Sequence, residues 1–206
     1  LRLTSIASCA VLANLTVIFV AIGAVVIFRQ KLNWQVWGAI LLAFGGAIII
    51  TLGGSASSTG DLAGNLLAVA AAACLAAYTM IGAVCRRSVS TTLYTFLAYS
   101  VTALTAVFLC LISRTLLTGY APVNVLTALC MAVFCTLLGH SVASWALKYL
   151  PAPFVSTVQL LDCVFSTLWG TLLFQEISSA VVLLGGIICI LGILFYGRLI
   201  AAESGR

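Results

Sequence analysis

Apolar residues fill seven long stretches of this chain, at about 5–28, 34–53, 62–84, 92–113, 124–147, 153–174 and 179–197. Polar positions gather instead in short connections, RQKLN, GGSASSTGD, CRRSVS, SRTLLTGYAP, KYLPAP and QEISS, each of which holds at least one charged residue. The stretches match the roughly 20 residues that a helix needs to cross a bilayer. In lipid every backbone N–H and C=O must be satisfied within the segment, so apolar runs joined by short turns predict an antiparallel bundle of transmembrane helices. The alternating segments of about ten residues that build a membrane barrel are absent.

Composition sharpens this to an all-α, polytopic membrane protein. Of 206 residues, 64% are hydrophobic and only 6% charged, against roughly 25% charged in a soluble domain, which excludes a water-soluble globule. The net charge of +5 therefore reports topology, and no nucleic-acid partner is expected. Threading the chain through a membrane places Arg29, Lys31, Arg86, Arg87, Lys148, Arg198 and Arg206 on one side, with Arg2 and Arg114 on the other. Basic residues mark the cytoplasmic side, so the C-terminus is expected inside the cell and the protein in the plasma membrane. Trp34 and Trp37, at a stretch boundary, read as interfacial belt residues. The eight cysteines form no CxxC pair and fall almost wholly within apolar runs, where a thiol behaves as a small hydrophobe; Cys85, beside Arg86, is the one candidate reactive thiol.

The chain also repeats itself. LRLTSIASCAVLANLTVIFVAIGAVVIF and LKYLPAPFVSTVQLLDCVFSTLWGTLLF align without a gap, Leu1 on Leu147, Arg2 on Lys148, Phe19 on Phe165 and Phe28 on Phe174. In the next stretch Gly38 and Gly45 mirror Gly185 and Gly192, a spacing that keeps each pair on one helix face, where small residues let backbones approach. The first copy runs from outside to inside and the second from inside to outside. Inverted repeats of this kind build many secondary transporters, with the substrate site near the midplane. Three stretches precede the second copy and none precedes the first, so about three further spans are expected upstream of residue 1. The expected division is 1–54 as the last two helices of a first repeat, 55–61 as a linker, and 62–206 as a second repeat of five helices.

GHSVASWALKYLPAPFVSTVQLLDCVFSTLWGTLLFQEI, at 139–177, resembles the signature region of the EamA-type transporters of the drug/metabolite transporter superfamily. The family's aromatic-Ala-Leu-Lys/Arg-x-Leu-Pro-Ala turn is matched by Trp145 to Ala152, its Leu-Glu-Pro-Val by Leu161-Asp162-Cys163-Val164, and its Gly-Glu by Gln175-Glu176. GDLAGNLLAVAAAACLAAYTMIGAVCRR resembles the opening of the second repeat. The resemblance implies a ten-helix, two-repeat transporter of small organic solutes, often an exporter, with both termini cytoplasmic and this chain as spans four to ten. Asp162 stands for the family's glutamate, and Cys163 for the proline that would guarantee a kink.

Asp162 is the one acid in the middle of an apolar stretch. With 100° per residue, Gln159, Ser166 and Trp169 all lie within about 60° of it, forming a polar-aromatic stripe. An aspartate at a helix centre costs about 2.5–3.5 kcal/mol on insertion scales, which Asn or Ser would avoid. Asp162 therefore reads as a site residue, either ionised opposite a cationic substrate or carrying a coupling proton; the competing role is a protonated acid bonded to a neighbouring helix. His140, the only histidine, is a proton relay, a substrate ligand or a packing residue; histidine is the side chain most often used to move a proton in proteins. Asn14 and Thr16 occupy the middle of the first copy, Thr16 in register with Asp162. Tyr78 and Tyr99 are candidates for stacking on a substrate, with helix packing or an interfacial anchor as the competing role, and Glu176 reads as a solvated cap.

No zinc motif, phosphate-binding loop or nucleophile with a nearby base is present in the sequence, so an enzyme is not expected, and neither a cofactor nor a metal is implied. A retinal protein needs a lysine in the last stretch, and 179–197 has none; a seven-helix receptor does not predict an inverted repeat. The remaining alternative is a membrane interaction subunit that transports nothing. The expected partners are a small-molecule substrate and the lipid bilayer, with protons a candidate coupling ion and a homodimer a candidate assembly.

Overall fold

The computed structural model describes residues 6–53, 62–113, 119–174 and 179–204. Arg2, Asp61, Arg114, Gln175, Glu176 and Arg206, and with them the linker and the Glu176 cap, lie outside the described residues. Every regular element among the described residues is a helix: α1 (Ile6–Asn14), α2 (Thr16–Val26), α3 (Trp34–Gly53), α4 (Leu62–Cys85), α5 (Thr91–Ile112), α6 (Pro122–Cys130), a π-helical segment (Met131–His140), α7 (Ser141–Ala146), α8 (Ala152–Gln159), α9 (Leu161–Phe174) and α10 (Ala180–Ser204). Among the described residues, six helices or helix runs, at Cys9–Val26, Trp34–Gly53, Leu62–Cys85, Thr91–Ile112, Pro122–Ala146 and Ala180–Ala202, are long and apolar enough to span a membrane; α8 and α9, each shorter, together cover the sixth predicted stretch. Local chemistry sets the starts. Ser90 caps α5 by accepting from Leu93 N at 3.3 Å. Pro122 and Pro153 stand in the first turns of α6 and α8, where a missing N–H costs nothing. Arg29, at φ 50, ends the first span in the left-handed conformation, and Gln30 N returns to the Ala24 carbonyl at 3.0 Å.

The chain forms two compact units, Leu1–Met80 with Pro151–Arg206, and Ile81–Leu150. In the first, α3 and α10 pack along their lengths. One offset, 146 residues, carries the buried face of α3 onto that of α10: Val36 onto Val182, Ala39 onto Gly185, Ala43 onto Cys189, Gly46 onto Gly192, Ala47 onto Ile193 and Ile50 onto Tyr196, all buried. It is the same offset that aligns the preceding spans. The helices approach to backbone contact. A methyl group on Gly46 would sit 2.4 Å from the Cys189 nitrogen, and one on Gly192 2.5 Å from the Ala43 nitrogen. Gly38 and Gly45, by contrast, meet nothing within 4 Å. The sequence reading had the right face on α10 and was one residue off on α3, where Gly46, with Ala39 and Ala43, makes the contact. Trp37 also departs from a purely interfacial role, being partly buried against this core, while Trp34 is 82% exposed.

Both repeat copies break in mid-span, at Leu15 and at Leu160. Leu15 has ψ −18 and Leu160 ψ −16, flatter than the roughly −42° of an α-helix. Each N–H reaches back three residues, Leu15 to Leu12 O at 3.2 Å and Leu160 to Thr157 O at 3.1 Å, a 3₁₀-type tightening. Thr16 Oγ1 donates to Ala13 O at 2.7 Å and Thr157 Oγ1 to Pro153 O at 2.6 Å, back-bonds that bend helices. The second break thus forms without the proline whose replacement by Cys163 left a kink unassured.

In the second unit, Tyr99 on α5 donates its hydroxyl to Thr136 O at 2.9 Å and lies 3.1 Å from Ser141 Oγ, tying α5 to the π-helical segment and to the first turn of α7. The Cβ that Gly82 lacks would stand 2.8 Å from Tyr94 Oη and 3.2 Å from Leu147, so this glycine admits both side chains.

Candidate functional site

The stripe predicted on the sixth apolar stretch is assembled by α8 and α9. Gln159 is the last residue of α8, Asp162 lies in the first turn of α9, and Ser166 and Trp169 follow; all four are exposed. Leu160, Leu161, Cys163 and Val164 face the other way, into the core shared with α3 and α10. The break at Leu160 thus falls two residues before the carboxylate. In transporters, interrupted helices present backbone polar groups at the substrate site.

The core side of this break is held by two polar contacts, one of them between the two repeat copies. Asn14 Nδ2 donates to Cys163 Sγ at 3.4 Å, joining the last residue of α1 to the residue beside Asp162. Cys189, buried on α10, lies with Sγ 3.8 Å from the Leu160 carbonyl, which also accepts Cys163 N at 3.2 Å. The sequence reading treated both thiols as plain packing. What signalled otherwise was their register, one on the break and one on the helix behind it.

Thr16 and Tyr78 are placed differently. Thr16 is buried, its hydroxyl within reach of Ala13 O at 2.7 Å and Ala72 O on α4 at 3.3 Å. A methyl group on Gly23 would sit 2.3 Å from Met80 Sδ, also on α4. One face of α2, carrying Thr16, Val20 and Gly23, is therefore buried, with α4 against its two ends. Carried forward by the repeat offset, those three positions become Asp162, Ser166 and Trp169. The stripe on α9 is the repeat counterpart of a helix face that is covered on α2. Tyr78 is half-buried on α4, beside Thr79 and Met80. His140 belongs to the second unit, where it ends the π-helical segment and is exposed.

Arg86, counted in the sequence among the basic residues of one side, is 1% exposed. Its Nε donates to Ser144 O at 2.9 Å, and its other nitrogens donate to Val89 O and Thr91 Oγ1. Ser144 O is one of the last four carbonyls of α7, which have no partner within the helix. Its neighbours Ala143 O, Trp145 O and Ala146 O each accept a backbone N–H from residues 147–150, and Arg86 takes the one between. Arg86 also follows the C-terminus of α4. Each helix C-terminus carries about half a negative charge, so two converging C-termini offset a guanidinium that meets no carboxylate among the described residues. Between Leu62 and Leu161 the sequence has no Asp or Glu at all, which is the signal that a basic residue in this stretch must find neutral acceptors.

Comparison with curated proteins gives no match to the chain. Residues 62–198 match the EamA-like transporter family, over the span that holds α4 to α10, both faces of the Leu160 break and the Asp162 stripe. With that match covering more than half of the sequence, and with a wholly helical, multi-pass architecture among the described residues, the chain belongs to the EamA-like transporter family.

Proposed function

We propose that this membrane transporter moves small organic solutes (metabolites, amino acids or drugs) outward across the plasma membrane by alternating access, with Asp162 at the substrate or proton site. One observation carries the reading. The Asp162–Ser166–Trp169 stripe corresponds, through the repeat, to the buried Thr16–Val20–Gly23 face of α2, yet where that face is small and uncharged, the stripe carries an acid and a large aromatic ring. A carboxylate turned to acyl chains costs about 2.5–3.5 kcal/mol; on a face directed into a bundle it meets water and solute instead. Ionised, it holds a cation. Exposed alternately to the two sides, the same carboxylate also serves as the carrier of a coupling proton. The two-repeat division, with repeats at 1–54 and 62–206, and a cytoplasmic C-terminus belong to the same proposal, supported by the sequence repeat and the distribution of basic residues.

The test is flux in vesicles over a pH series, with the wild type and Asp162→Asn matched in expression. The asparagine keeps size and some hydrogen bonding but removes titration, so pH-dependent transport or cation binding is lost. Ser166→Ala has a smaller effect, because water replaces a hydroxyl. An Asn variant with unchanged rate and pH profile assigns Asp162 to packing and ends this reading.

A further inference from the structure

We propose that the end of the second unit where α4 and α7 terminate binds the phosphate of an anionic phospholipid, with Arg87 and Lys148 as its ligands. Arg86 brings these two residues to one place. By donating from the end of α4 to Ser144 of α7, it sets Arg87, its immediate neighbour, at the same end of the unit as Lys148, just past α7. Leu147, packed where Gly82 has no side chain, fixes the approach from the other side. Arg86 itself is buried and engaged by neutral acceptors, whereas Arg87 and Lys148 are exposed.

Charge supplies the argument for an anion. The sequence of this unit, Ile81–Leu150, contains Arg86, Arg87, Arg114 and Lys148 and no Asp or Glu, so its exposed cations have no internal counter-charge. The surroundings identify that anion as a lipid rather than a soluble phosphate. Lys148 Nζ lies 5.6 Å from the centroid of the Tyr149 ring, and the Tyr149 and Trp145 rings are 5.0 Å apart. Both rings are exposed, Trp145 at 54% and Tyr149 at 61%, the amphipathic pairing found at headgroup depth. Val142 and Trp145 follow one another along one side of α7, with Tyr149 in the turn just beyond it, and Val142 is 61% exposed. This gives an apolar track for an acyl chain leading away from the cations. Basic residues near an anionic surface gain from phosphate in this way, each separately.

The experiment is native mass spectrometry of the full chain released from bilayers of equal phosphatidylcholine and phosphatidylglycerol. The wild type retains phosphatidylglycerol over phosphatidylcholine by about thirtyfold, on the scale of two surface cations. Arg87→Gln combined with Lys148→Gln brings the ratio close to one, while Arg198→Gln on α10 leaves it unchanged. All substituted residues are exposed, and monodisperse elution of each variant checks that it folds. Equal retention of the two lipids by the wild type overturns the proposal. So does a preference that survives the double substitution, or one lost equally in Arg198→Gln, which would mark diffuse attraction rather than a site.

Discussion

A single methyl group at residue 192 tests the α3–α10 contact. In Gly192→Ala the new Cβ would lie 2.5 Å from Ala43 N, 2.8 Å from Ala43 Cα and 2.9 Å from Ala39 O. All three are backbone atoms, so no rotamer change relieves the clash and the helices must separate. Restoring ordinary contact needs about 1 Å, and a gap of 0.5–1 Å forfeits a quarter to a half of each dispersion well along the seam. Transmembrane helices have no hydrophobic force drawing them together and depend on that packing, so the expected cost is about 1–3 kcal/mol, the range for overpacked cores. Gly186→Ala is the matched control on the same helix. It meets nothing within 4 Å, and alanine is the better helix former by about 0.8–1 kcal/mol, so it is neutral or mildly stabilising. Reversible unfolding in mixed micelles measures both. Equal stability of the two variants would refute the backbone contact, and a loss in Gly45→Ala matching that of Gly46→Ala would refute the register.

Arg86→Gln removes the guanidinium from three acceptors and leaves Ser144 O without its donor, at a cost of about 1.5–3 kcal/mol for a charged hydrogen bond. Arg86→Lys recovers only part of this, because an ammonium has no planar fork, and a thermal melt ranks the three proteins. Asn14→Leu deletes the donor to Cys163 Sγ and lowers stability by about 0.6 kcal/mol, the average for polar contacts between membrane helices; a drop in transport without that small drop in stability would mean that Asn14 meets solute instead. A fluorescent protein fused after Arg206 should be bright inside the cell, and activity of an external reporter at that position would invert the orientation.

The spans were legible because length and apolarity suffice to declare a transmembrane helix, and no tertiary context competes with that signal in lipid. The register of α3 on α10 was not, because matching glycine to glycine aligns Gly45 with Gly192, whereas the repeat offset aligns Gly46 with it; in the contact itself Gly46 lies against Gly185 and Cys189, and Gly192 against Ala39 and Ala43. Alanine serves the contact as well as glycine does, so identity misleads where size would not. The breaks left no mark in composition. Leucine favours helix, and the tightening at Leu15 and Leu160 comes from serine and threonine back-bonds and from packing on α3 and α10. The stripe on α9 followed from its helical spacing. The contact that supports it, Asn14 to Cys163, crosses 149 residues of chain and has no local signature. The π-helical segment was equally invisible, since it is apolar over most of its length and offers no periodicity to read.

The burial of Arg86 has a consequence in time. Its acceptor on α7 lies 58 residues further along the chain, which at 5–20 residues per second is synthesised about 3–12 s later. Until then the guanidinium has no Ser144 to meet and must stay at the aqueous surface, held back from crossing like any other basic residue. During that interval it helps to decide which way α4 enters the membrane. Once α7 arrives, the same charge is withdrawn from water and spent on joining two helix ends. A residue that begins as an address label finishes as a rivet, and a variant that disturbs orientation without disturbing the finished protein has to act within those few seconds.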